Sequence, residues 1–366
     1  MILGCCTEAI GFFKRIGSLG QIEFHDKLSI GDESDRLTIE AWRLPAPVHL
    51  LPSILKSSYL SRTDKLCIAR TLADMLVREP GEGEHALGYL KRLGCSARLV
   101  DRLLESVIVS ALNETPNRAS AKYARMVLLE SLMKGKRSYR MGAPKVAQSE
   151  LIGDAALRWL ESRGAKVRLL SRVRKVHVAD GIMRSIELDS GERMAFDACV
   201  LAVPPNALTR MGIDAGGGEK LKWEPIVSAH LFFAGQIPNF EPVCIIEEPF
   251  GWVFGRRPDV GYVEVVASAA GELMNLPKSE VLGLAMRAVV KAVPTLSGIS
   301  LNRGIVYRAR SATFATLACD INRPGAVTPT ANLFLAGDWT DTGWPATIES
   351  AVRSGLAAAR ALMELT

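Results

Sequence analysis

The stretch from Asn332 to Gly355, Asn-Leu-Phe-Leu-Ala-Gly-Asp-Trp-Thr-Asp-Thr-Gly-Trp-Pro-Ala-Thr-Ile-Glu-Ser-Ala-Val-Arg-Ser-Gly, constrains this chain more than any other. Apolar residues run straight into Gly337-Asp338, a short polar loop leads to Pro345, and helical spacing then carries on from Ala346 to Leu365. That order reads as a buried strand, a turn, and a helix whose first amides lack partners within the helix. Gly337 permits a close backbone approach, Asp338 offers acceptors to a hydroxylated ligand, and the helix start favours negative charge. Ala351, Gly355 and Ala358, at helical spacing, supply the expected inner face. An ordinary strand–helix unit with Asp338 in its turn would satisfy the same pattern.

The segments before it decide what surrounds that unit. Thr7 to Ile16 reads as a helix with Thr7 as its N-cap, and Gln21 to Arg43 as a pair of strands. Leu44 to Leu55 is uncharged and holds Pro45, Pro47 and Pro52, so it cannot be one regular helix; it reads either as a buried connector or as a surface element that dips into lipid or lines an apolar entrance. Helical periodicity runs over Thr63–Val77, Gly83–Leu93, Ser96–Asn113, Ser120–Met133 and Ser149–Arg163. After Gly164 the pattern changes to strands at Lys166–Leu170, Val173–Val178, Ile182–Leu188 and Ala198–Val203, with Asp180-Gly181 as a hairpin turn. Further strands are expected at Pro225–Phe233, Val243–Glu247, Tyr262–Ala267 and Ile305–Ala309, with one helix at Ser279–Ala292. The mixture is that of an α/β or α+β fold.

Composition removes several function classes. Against 39 acidic residues, 45 Lys and Arg leave a formal charge of +6 over 366 residues, too dilute for a nucleic-acid footprint. Cys5, Cys6, Cys67, Cys95, Cys199, Cys244 and Cys319 include no CxxC and no zinc-type spacing, so reduced thiols and no metal site are expected. No apolar run reaches the ~18 residues of a membrane span, and the start has no signal-peptide pattern, which together make a cytoplasmic protein the expectation. Lys134, Lys136, Arg137, Arg140 and Lys145 form a basic stretch suited to anionic lipid headgroups or to a solvated loop.

Leu335-Ala-Gly-Asp-Trp-Thr-Asp-Thr-Gly343 followed by Pro345-Ala-Thr-Ile-Glu349 resembles the C-terminal flavin signature of the FAD-dependent amine oxidase and phytoene desaturase superfamily, in particular its squalene-associated branch, the hydroxysqualene dehydroxylases. Leu44–Leu55, Ser149–Ile152 with Leu160–Leu169, Val200-Leu-Ala-Val-Pro-Pro205 and Pro225 to His230 resemble that family in the same order. The resemblance implies a Rossmann-like FAD-binding domain interleaved with a mixed sheet-plus-helix substrate domain. Residues 1–20, 149–210 and 331–366 would belong to the first, and 21–148 and 211–330 to the second. No GxGxxG turn occurs, and Gly216-Gly217-Gly218 lacks the flanking strand and helix, so the resemblance implies a member lacking its first βαβ unit, with a separate chain as one place for it.

By the same resemblance, Asp338 after Gly337 would bond the flavin ribitol, the Thr347 and Ile348 amides would face the flavin pyrimidine edge, and backbone groups near Val173 and Val176 would reach the adenine. Trp344 stands in that loop where relatives usually carry leucine, and Ser350 where many carry glycine. Thr347 occupies the place of an aromatic-cage tyrosine, which favours an apolar substrate over an amine. The implied reaction removes the allylic hydroxyl of the isoprenoid lipid hydroxysqualene with a hydride from reduced FAD. A peripheral membrane contact is the accompanying expectation. A carotenoid-type desaturase, and an inactive fragment or half of a split enzyme, stay open. The proton donor is not identified; Asp341, Glu349 and His230 are the candidates, against readings as loop cap, helix-terminus carboxylate and hydrogen-bonded strand histidine.

Overall fold

The computed structural model describes residues 1–214, 216–246, 248–318 and 322–365. Cys319 and Glu247 of the sequence reading lie outside the described residues. The chain divides into two compact units, each assembled from separated segments: Met1–Cys5, Glu23–Lys145 and Trp223–Asp320 in the first, Cys6–Ile22, Val146–Lys222 and Ile321–Thr366 in the second.

The first unit is built on a seven-stranded sheet in the order Leu301–Phe314, Trp223–Phe233, Tyr262–Ala267, Trp252–Arg257, Val243–Cys244, Lys27–Gly31, Arg36–Glu40. Pairing is antiparallel except where Val243–Cys244 runs parallel to Lys27–Gly31. Alternation along the strands sends successive side chains to opposite faces. Val253 joins a core with Val227, Ala229, Val263 and Val265, which the helix Lys278–Ala292 covers with Val281, Ala285, Ala288 and Val289. Its neighbours Trp252 and Phe254 join the other core, with Leu37, Leu50, Met75, Leu99 and Leu128 of the helical segments.

Those segments are the helices Leu51–Lys56, Arg62–Val77, Ala86–Arg92 and Ala121–Leu132, with Ala97–Leu99 running through a wide π turn at Val100–Leu104 into Glu105–Leu112. Ser61 and Asp64 close a reciprocal capping box on Arg62–Val77, and Asn113, at φ 50°, ends Glu105–Leu112 in the left-handed region. The basic stretch at 134–145 is partly used within this unit: Lys134 pairs with Glu130 and Arg140 with Asp26.

In the second unit, Val173–Ala179, Ile182–Leu188 and Arg193–Ala195 form an antiparallel meander, and Asp180 and Gly181 both take positive φ in its first turn. Leu333–Leu335 pairs in parallel with Cys199–Leu201. Asn332 fastens the two sheets together: its side chain accepts from Met183 N and donates to the carbonyls of Met183 and Asp197.

Several sequence expectations need correction. Gln21 to Arg43 holds three strands, Ile22–His25, Lys27–Gly31 and Arg36–Glu40, because the chain bends at Asp26 and turns again over residues 32–35. Lys166–Leu170 is not a strand: Leu170 is fully exposed with φ 53°, and Leu169 is exposed too, so the alternation serves no buried face. Trp252–Arg257 is a strand that the sequence did not announce. Thr7 is not a cap; the helix spans Thr7–Arg15, the side chain of Cys6 before it makes no capping bond, and a carboxylate from far along the chain does the capping. Among the described residues no helix is long and apolar enough to cross a membrane.

Candidate flavin site in the second unit

The turn after strand Leu333–Leu335 has its backbone satisfied from within. Gly337 N donates to Ser354 Oγ at 2.8 Å, and Thr340 returns both its N–H and its hydroxyl to the Gly337 carbonyl. The Asp338 carbonyl accepts from Ser350 Oγ at 3.0 Å and from Arg323 at 3.4 Å. Gly337 sits at φ 149°, and a Cβ there would lie 2.3 Å from Trp339 Nε1. The space above this glycine is therefore taken by the buried Trp339 indole, which donates to the Val203 carbonyl at 3.1 Å, and not by a ligand.

What the turn leaves over is the Asp338 carboxylate. Burial pushes its pKa above the ordinary 3.8, opposed by the amides of residues 338 and 339 and by the charge of Arg323. Among the described residues no side chain donates to it. A half-buried acceptor with only its own turn for company suits the hydroxyls of a polyol chain.

The helix Ile348–Met363 begins beyond it. Thr347 caps the start, its hydroxyl accepting from Ser350 N at 3.2 Å. The next amides, of Ile348 and Glu349, are the ones a helix cannot satisfy internally. Ser350 is fully buried and ties three parts together, bonding Thr342 Oγ1 at 2.6 Å as well as the Asp338 carbonyl. The inner face of this helix is thus Ser350, Ser354 and Ala358; Ala351 and Gly355, expected there, are exposed, and a Cβ at Gly355 would meet nothing within 4 Å. Trp344 is half-buried in the loop, with the Arg353 guanidinium 4.9 Å from its ring.

Val176 is buried and Val173 half-buried on Val173–Ala179, an edge strand of the meander. Among the described residues that strand pairs on one side only, with Ile182–Leu188.

The three candidate proton donors separate. Glu349 is fully buried; it accepts from Ala9 N at 2.8 Å and Glu8 N at 3.3 Å, and pairs with Arg353 Nε at 2.8 Å. It is the cap of helix Thr7–Arg15, with both oxygens engaged, which removes it from the proton donors. Asp341 is exposed, accepting from Gly343 N at 3.2 Å in its own loop and lying 3.5 Å from Arg323. His230 belongs to the first unit, where its ring bonds Tyr262 Oη at 2.7 Å and Ser228 Oγ at 3.3 Å. Asp341 is thus tied into its own loop and His230 into a network of the first unit. The sequence reading noted Ser350 only as standing where many relatives carry glycine, and missed Asn332 and Ser354; the spacing of four between Ser350 and Ser354 on a helix, beside Gly-Asp, was the available signal for the serines.

The first unit contains a cavity of about 50 Å³ with an almost wholly apolar lining that includes Ile39, Pro47, Leu50, Leu51, Ile54 and Met75.

Residues 25–363 match the family described as flavin containing amine oxidoreductase. The chain is 34% identical over 269 residues to a hydroxysqualene dehydroxylase of Sinorhizobium fredii, covering 72% of this chain but 63% of that protein. It is 30% identical over 375 residues to a hydroxysqualene dehydroxylase of Zymomonas mobilis, covering 98% of this chain and 84% of that protein. It therefore spans under two thirds of the Sinorhizobium relative. An oxidoreductase structure from Methanosarcina mazei superposes with a TM-score of 0.71 at 14% identity, over 96% of this chain and 85% of the other, a likeness of fold.

Proposed function

The chain belongs to the family of flavin-containing amine oxidoreductases, and from that premise we propose that it holds FAD at the Asp338 turn and reductively dehydroxylates an isoprenoid alcohol, converting hydroxysqualene to squalene. The observation that carries the cofactor assignment is the half-buried Asp338 carboxylate, to which no side chain among the described residues donates, in a turn pinned by Ser350 and Ser354. Its acceptors suit the ribityl hydroxyls, and the Thr347–Glu349 start of the long helix suits the edge of the isoalloxazine that gains negative charge on reduction. The edge strand at Val173 and Val176 offers backbone groups for the adenine.

When bound and reduced, FAD supplies the hydride that replaces the hydroxyl, which leaves with a proton as water. The chain's own contribution is to orient and to keep dry. Asp338 and the helix start fix one end of the cofactor, and Ser350 holds the two in register through its bonds to the Asp338 carbonyl and Thr342. The apolar lining of the first unit's cavity suits a short stretch of an isoprenoid chain. An isoprenoid alcohol of this length resides in a bilayer, so peripheral contact with a membrane belongs to this reading.

The test is flavin retention followed by product analysis. Asp338→Ala should purify without the flavin absorbance of the parent protein; equal absorbance would refute the assignment. Supplied with reductant, the parent should turn hydroxysqualene into squalene and leave phytoene unchanged. Desaturation of phytoene would instead place the chain with the oxidative enzymes.

A further inference from the structure

A surface helix of a globular protein is expected to be apolar on one face only. The helix Arg62–Val77 is apolar on two. Ile68 and Met75 face inward and line the cavity, while Leu66, 74% exposed, and Leu76 and Val77 face out. The segment before it behaves in the same way: Pro47, Leu51 and Ile54 line the cavity, while Trp42, Leu44, Val48 and Leu55 are exposed large apolar side chains. Trp42 N donates to the His49 carbonyl and Val48 N to the Pro45 carbonyl, so residues 42–49 form a closed loop that holds these side chains out. The outer wall of the cavity is therefore greasy on both sides.

The charges carried between residues 41 and 69 are nearly all of one sign. Between residues 41 and 69 stand Arg43, Lys56, Arg62 and Lys65 against a single acid, Asp64, which is buried in its capping box, while Arg70 just beyond pairs with Asp74. The Lys56 ammonium lies 4.0 Å from the centre of the Trp42 ring, and Lys65 Nζ donates to the Leu55 carbonyl at 2.8 Å, so cations and apolar side chains interleave in one patch. Tryptophan beside lysine, with leucines beyond, is the chemistry of the headgroup–acyl boundary.

Resting on the reading that the substrate is an isoprenoid, we infer that the face formed by residues 42–66 docks on an anionic bilayer, and that the apolar cavity behind Pro47, Leu51 and Ile54 is where a lipid-borne chain enters the protein. Charge complementarity selects an anionic membrane over a neutral one, and continuity with the cavity selects a lipid over a protein partner. The basic stretch at 134–145 is a weaker alternative, because Lys134 and Arg140 already have carboxylate partners.

The test is flotation of the whole protein with phosphatidylcholine vesicles, with and without phosphatidylglycerol. The parent should float with the anionic vesicles. Neutralising three cations, in Arg43→Gln/Lys56→Gln/Arg62→Gln, should weaken that binding roughly a hundredfold, at about 1 kcal/mol per cation. The variant Leu44→Ser/Val48→Ser/Leu55→Ser should weaken it by about tenfold or more. Circular dichroism and thermal unfolding show whether each variant is folded, and none of the six residues lines the cavity. The inference fails if the parent does not float, if either folded variant floats as well as the parent, or if the apolar variant turns a lipid-free dimer into a monomer, which would make a second copy the occupant. Turnover of detergent-solubilised hydroxysqualene separates the two readings: a variant that loses flotation but keeps that turnover supports the docking face. Flotation with no turnover by the parent would overturn the dehydroxylase reading and leave the docking face standing.

Discussion

Replacing Glu349 by Ala should free the start of a helix 340 residues away in sequence. The carboxylate accepts from the Ala9 and Glu8 amides and is fully buried, so its loss strands two donors that the helix Thr7–Arg15 cannot satisfy itself. Hydrogen bonds to a charged group contribute about 1.5–3 kcal/mol each, and the 3.3 Å bond to Glu8 belongs at or below the low end of that range. Arg353 is one-third exposed on its side chain and is resolvated, so its lost pairing adds little. The expected cost is about 3 kcal/mol, and about half of that for Glu349→Gln, which keeps one acceptor. Because two interleaved units make a single unfolding midpoint a poor measure, the assay is amide hydrogen exchange resolved over residues 7–15. Protection at Ala9 should fall by about a hundredfold in Glu349→Ala, the equivalent of 3 kcal/mol at 1.4 kcal/mol per decade. Unchanged protection of that helix in a folded Glu349→Ala protein would refute the capping assignment and return Glu349 to the candidate proton donors.

Other substitutions test the turn. Gly337→Ala should cost about 3 kcal/mol or more, since its Cβ would meet the Trp339 ring at 2.3 Å on a glycine-type backbone, and should shift the emission of the buried tryptophan; a native spectrum and stability would count against the packing described. Gly355→Ala, by contrast, should be neutral or stabilise by up to about 1 kcal/mol in thermal unfolding, because that face is open. Ser350→Ala should destabilise by about 1–2 kcal/mol and loosen flavin retention, read by urea unfolding and absorbance. The raised pKa of Asp338 means the folded protein favours its protonated form. Its stabilising contribution is complete below 3.8 and is lost as pH rises through the folded-state value above 3.8. The stability difference between parent and Asp338→Asn should therefore depend on pH across that window, and a flat difference would contradict the burial.

The strand–turn–helix at 332–365 was legible because hydrophobic periodicity and the Gly-Asp punctuation agree. Its inner face was not, since Ser350 and Ser354 are buried through hydrogen bonds to Gly337 and Asp338, a role that hydropathy assigns to solvent. The helical segments of residues 62–132 were readable within a few residues for the same reason that they pack: each repeats apolar positions at helical spacing. Trp252–Arg257 escaped notice because Gly255-Arg256-Arg257 ends its apolar run early, and its strand character comes from pairing with Tyr262–Ala267. Lys166–Leu170 shows the converse, alternation without a buried face. Residues that tie distant segments together, Asn332 and Glu349, depend on partners 149 and 340–341 positions away, which no local pattern encodes.

The bond between Glu349 and the first helix also sets an order of events during synthesis. Residues 8 and 9 leave the ribosome 340–341 residues ahead of the carboxylate they need. The sheet of the first unit waits as well, since Lys27–Gly31 finds one of its neighbours only at Val243–Cys244. The second unit cannot close until Glu349 has been made, nor the first until Leu301–Phe314 has joined its sheet, so the nascent chain must carry unpaired strand edges and apolar helices across long intervening stretches. A yield sensitive to the pace of translation and to chaperone supply is the cellular consequence of how these segments interleave.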